Sequence, residues 1–86
     1  MGFKPADLVD RLERIFATKI QYLYQIPNRA AYSFLLFSPI LIQDLIDLGL
    51  PDAHIESIEL HGERWDTLVL SFNDIVHLYK NPPKDE

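Results

Sequence analysis

At 86 residues the chain has room for one domain around one modest core. Its formal net charge of −5 excludes the positive field that general nucleic-acid binding needs, and its lack of cysteine excludes a disulfide framework, a thiol nucleophile and a cysteine-based zinc site. Apolar residues make up 48% of the chain, more than so small an interior readily hides, so part of them is expected at an interface.

The opening residues carry no apolar secretory segment, and Ala6 stands where a myristoylation signal needs Ser or Thr. A cytoplasmic protein is therefore expected. Pro5 suits the first turn of a helix, since it has no N–H to leave unpaired there. Leu8, Val9, Leu12, Ile15, Phe16, Ile20 and Leu23 then recur at helical spacing, which predicts one long amphipathic helix over 5–25. Asp7 with Arg11, and Asp10 with Arg14, form i,i+4 pairs on its polar side. Lys19 is anomalous, because at 100° per residue it falls in the middle of the apolar stripe. Its stem lying along the stripe with the amine in water is the ordinary explanation; an ion pair with Asp44 or Asp47 is the sharper one.

Pro27 and Asn28 mark a turn. The uncharged aromatic and apolar run that follows predicts a strand over 30–37, with a helix kinked at Pro39 as the competing reading. The run from Ala30 to Ile42 lacks charge for 13 positions, short of the roughly 20 that a membrane-spanning helix requires. Ser38-Pro39 reads as a helix start and Gly49 as its stop, giving a helix over 39–48 with Leu41, Ile42, Leu45, Ile46 and Leu48 on one arc. Phe37 and Ile42 have the spacing of a hydrophobic staple. Alternation about Gly62-Glu63 predicts a β-hairpin over 57–72, with Ile58 and Leu60 facing inward and the second strand inside the sheet. Ser71 and Asp74 form a capping box for a last helix over 72–80, followed by a tail over 81–86. The elements sum to an α+β domain in the order α-β-α-β-β-α, a small, mostly antiparallel sheet packed against helices.

No catalytic, cofactor or phosphate-binding motif is present in the sequence. The densest cluster of ligand-type side chains is His54 to His61, from which Glu59 and His61, with Glu63, offer carboxylate and imidazole to a divalent ion. Against this stands the solvated outer face of a hairpin strand. Asp44 and Asp47 are helix neighbours of the kind that acid–base pairs use, and also of the kind found on any wet helix face. Tyr22, Tyr24, Tyr32, Phe34 and Trp65 are candidates for an interface, with core packing as their ordinary role. The leading expectation is a non-catalytic binding or regulatory protein acting through protein–protein contact as a homodimer, with no cofactor, nucleic acid or membrane partner. The alternative is a small metal-dependent or acid–base enzyme using Glu59, His61 and Glu63, or Lys19 with Asp44 and Asp47.

Overall fold

Helix α1, Pro5–Phe16, begins with Pro5 in its first turn and turns Leu8 and Leu12 fully inward in the computed structural model, which describes residues 4–80. The helix stops at Ala17, whose φ of 54° and ψ of 42° are left-handed, and the chain re-emerges as strand β1, Ile20–Ile26. The single helix expected over 5–25 is thus two elements. The reason lies in Thr18, Ile20, Tyr22, Tyr24 and Ile26. They place β-branched or aromatic side chains at every second position, which suits a pleated surface, while the helical spacing rested on Ile20 and Leu23 alone beyond Phe16. Glu13 secures the switch by accepting a hydrogen bond from the Ile20 amide at 2.9 Å.

A turn through Asn28, at φ 64°, returns the chain as strand β2, Ala31–Leu36, so the strand reading holds over the kinked helix. Helix α2 covers Ile42–Leu48, not 39–48. The Phe37 amide still bonds the Lys19 carbonyl, which prolongs the extended chain past β2, and Ser38-Pro39 lies in the connection. Leu41 takes the N-cap position in extended geometry without a side-chain cap. Gly49 ends the helix at φ 70° and donates to the Ile46 carbonyl, as its sequence position implied.

Strands β3, His54–Leu60, and β4, Glu63–Ser71, form a hairpin whose two-residue turn, His61-Gly62, has positive φ at both positions. Helix α3, Phe72–Lys80, starts at the expected capping box: the Asp74 amide donates to Ser71 Oγ, and the Ser71 amide donates to Asp74 Oδ2. The tail expected over 81–86 lies outside the described residues.

Among the described residues the order is α-β-β-α-β-β-α, a small compact α+β domain with a fully antiparallel sheet in the order β1-β2-β4-β3. The extra strand relative to expectation is β1. Strand β4 lies inside the sheet, as expected from apolar residues on both its faces. One sheet face carries Ile20, Tyr22, Tyr32, Phe34, Leu36, Ile55, Leu68 and Leu70. Onto it pack Leu8 and Leu12 from α1, Leu45 from α2, and Ile75 and Leu78 from α3, so all three helices share one core on one side.

Candidate interaction surface

Side chains alternate along a strand, so the residues between those core positions point to the opposite face. The pairing aligns them in rows: Tyr24, Ser33, Val69 and His54; then Gln21, Leu35, Thr67 and Glu56. The next row holds Phe37, Trp65 and Ile58, with Lys19 bonded through its carbonyl to the Phe37 amide. Glu63 and Leu60 lie beyond. None of these residues belongs to the cluster that the helices build. The middle of the face mixes Leu35 and Val69 with Ser33 and Thr67, all lying low between taller neighbours.

Phe37 and Trp65 meet edge to face with centroids 5.7 Å apart, and Lys19 Nζ stands 5.7 Å from the centre of the Phe37 ring. The anomaly of Lys19 is thereby resolved. It lies past the end of α1 and spreads over an aromatic ring at the edge of this face, and among the described residues no ion pair joins it to Asp44 or Asp47. Asp47 instead accepts a hydrogen bond from Gln43 on the exposed side of α2. An open cavity of about 290 Å³ borders the Phe37–Trp65 pair, lined also by Pro39, Arg64 and Asp66.

The other end of the face carries a charged clasp. Arg29, in the turn before β2, approaches Glu56 at 3.7 Å, and His54 Nε2 lies 2.7 Å from the same carboxylate. His54 Nδ1 faces the Asp52 carbonyl at 3.1 Å. Both ring nitrogens therefore face acceptors, which only the doubly protonated imidazolium can satisfy. The bond to Glu56 holds the His54 pKa above its ordinary 6.5, helped by the Asp52 carbonyl. The bond from His54 holds Glu56 below its ordinary 4.5. The pair's contribution to stability has two limits. The His54 part is complete below pH 6.5 and fades as pH rises through its raised pKa. The Glu56 part is complete above pH 4.5 and fades as pH falls through its lowered one. Because both side chains are over a third exposed, solvent screens the effect. An NMR titration of the His54 ring is expected to give a midpoint above 6.5 that falls in the Glu56→Gln variant. An unchanged midpoint would remove Glu56 as the cause.

The metal candidates do not converge. Glu59 pairs with Arg64 and Glu63 with Leu60, so the two carboxylates lie on opposite faces of the hairpin, and His61 sits in its turn. No group of three or more His, Cys, Asp or Glu among the described residues is placed to hold an ion.

The aromatic interface candidates divide between the two faces. Phe34 is fully buried and stacks at 5.5 Å on Tyr22 within the helix-covered core; it therefore has no surface to offer, which corrects the expectation for it. Tyr22 and Tyr32 pack against that core, partly exposed. Tyr24 and Trp65 lie on the opposite face. Tyr22 and Tyr24 would share a face on a regular strand, but a register shift between them turns Tyr24 to the other side. Ile58 and Leu60, expected to face inward, point the same way as Trp65, while Ile55 fills the core place. No sequence pattern joins Phe37, Ile58 and the Arg29–Glu56–His54 clasp as a set; only the pairing register brings them together.

Helix α2 presents a second apolar surface. Of the arc expected to turn inward, Leu45 alone is fully buried and Leu48 is half-buried. Leu41, Ile42 and Ile46 are 69%, 57% and 63% exposed. Starting at Ile42, the helix is too short to lay a whole stripe on the sheet. With Leu41 at the N-cap, Phe37 and Ile42 no longer occupy staple positions, and the Phe37 ring meets Trp65.

These features define the class of the molecule: a small α+β domain with three helices on one face of an antiparallel sheet and apolar surface left elsewhere. Comparison with protein-family models, with curated proteins and with solved structures gave no match. No helix among the described residues is long and apolar enough to cross a membrane.

Proposed function

We propose that this chain is a non-catalytic binding or regulatory module that acts through protein–protein contact, as a homodimer in the cytoplasm. The observation that carries the reading is the α2 surface of Leu41, Ile42 and Ile46, each more than half exposed in a short span. Scattered apolar side chains at a surface are ordinary, but a contiguous group of large ones is the mark of a contact site. Fully burying such a side chain is worth about 1.5–3 kcal/mol, so covering what these three still expose yields roughly 3–5 kcal/mol. Association costs about 4 kcal/mol or more in lost freedom, so α2 alone holds a partner only weakly. The sheet face opposite the helices lies on the other side of the molecule and is a separate candidate surface.

Affinity capture from the native host, comparing the natural chain with a Leu41→Asp/Ile46→Asp variant, tests the reading. The expected result is a protein held by the natural chain and lost by the variant. Identical recoveries from both would contradict it.

A further inference from the structure

The sheet face away from the helices carries its own evidence for what covers it. Its edges are unsuited to strand addition: β1 is interrupted by a bulge between Tyr22 and Tyr24, and β3 carries His54, Glu56 and Glu59. Its middle is low, with Ala31, Ser33, Leu35, Thr67 and Val69 all under a tenth exposed, while Phe37 and Tyr24 stand up at 40% and 48%. Four strands at about 4.8 Å spacing make a face roughly 19 Å wide and about 20 Å long. That is about 380 Å² in projection, roughly half of the ~800 Å² of accessible surface per partner in a specific dimer, so the exposed side chains that stand around it must supply the rest. Its two halves differ in charge: Lys19 stands at the β1 edge, and Glu63 lies on the far half, on β4, while Glu56 on β3 is already neutralised by Arg29 and His54.

Building on the homodimer reading above, we infer that this face is the self-association surface, covered by a second copy of the chain packed face to face about a two-fold axis running along the strands. Such an axis exchanges left and right within each row. It lays Phe37 on the partner's Trp65, and Trp65 on the partner's Phe37, extending the edge-to-face pair into a four-ring cluster. It brings Lys19 over the partner's Ile58, within a side chain's reach of the partner's Glu63. Two-fold symmetry makes each contact twice, so the pairing of Lys19 with the partner's Glu63 is made on both sides. Aligned sheets pack about 10 Å apart with their strands some 30° askew, which the ordinary sheet twist supplies. Glu56 takes no part across the axis, because Arg29 and His54 already hold it.

The test is the dimer dissociation constant of the full chain by sedimentation velocity, with circular dichroism as the check on folding. Phe37→Glu is expected to weaken the dimer at least thirtyfold, about the effect of losing a central anchor residue. Lys19→Glu and Glu63→Lys, both at exposed positions, are each expected to weaken it several-fold and to restore it when combined. Failure of the charge swap to restore binding, with Phe37→Glu neutral, overturns the inference. If dimerisation falls instead with Ile42→Asp/Ile46→Asp, the homodimer survives and its surface is α2, so the inference fails alone. A natural chain that stays monomeric ends both.

Discussion

Replacing Phe34 by Ala is expected to destabilise the chain by about 4 kcal/mol, read as a lowered urea midpoint at unchanged slope. Phe34 is fully buried on a central strand, where it pairs with Leu68 and stacks on Tyr22. Helices on one side and strands on the other fix its surroundings, so the cavity left behind has little means of closing. A domain of this size has a net stability of roughly 4–13 kcal/mol, so the loss is a large part of the total. Phe34→Leu, which keeps most of the volume, is expected to cost well under half as much. The result bears on function as well, because Phe34 read as an interface residue would cost affinity and leave stability alone. A loss below 1 kcal/mol would place the core elsewhere.

Asp74→Ala is expected to cost about 3 kcal/mol by the same measurement. Asp74 is fully buried, and its two oxygens serve two different segments. Oδ2 accepts from the Ser71 amide at the start of α3, and Oδ1 accepts from the Asp52 amide in the turn that leads into β3. Removing the carboxylate strands both donors, and the capping of α3 goes with it. Ser71 Oγ donates to Asp52 as well, so the same residues hold the helix start and the turn together. Ser71→Ala removes the weaker half of the box and is expected to cost about 1 kcal/mol. Equal losses from the two variants would show that the Asp74 carboxylate holds this junction no more strongly than the Ser71 hydroxyl does.

What the sequence makes legible is whatever is fixed by a few adjacent residues. The Ser71–Asp74 box and the Gly49 stop are local chemistry, and both stand in the structure where their residue types require. The strand over Ala31–Leu36 and the hairpin about Gly62 follow from alternation bounded by turn residues. The switch from α1 to β1 was hidden, because Ile20 and Leu23 fit a helical stripe as well as a strand. Only pairing with β2 decides between them. The α2 start was hidden for a related reason: Ser38-Pro39 has capping chemistry, but the backbone there is still committed to the sheet through Phe37.

The candidate surface was less legible than the fold. A bulge of one residue sends Tyr24 away from Tyr22, and a one-residue difference in register decides whether Ile58 or Ile55 meets the helices. Excess apolar content pointed to exposed greasy surface, but composition has no direction and cannot say which face carries it. The residues that assemble there, Lys19, Phe37, Ile58 and Trp65, come from three parts of the chain.

The most direct test of the account is the mass of the natural chain in solution, by sedimentation equilibrium across micromolar concentrations. The account predicts a species of twice the 10.0 kDa chain mass that dissociates on dilution. A single species of 10.0 kDa that persists to several hundred micromolar would contradict it.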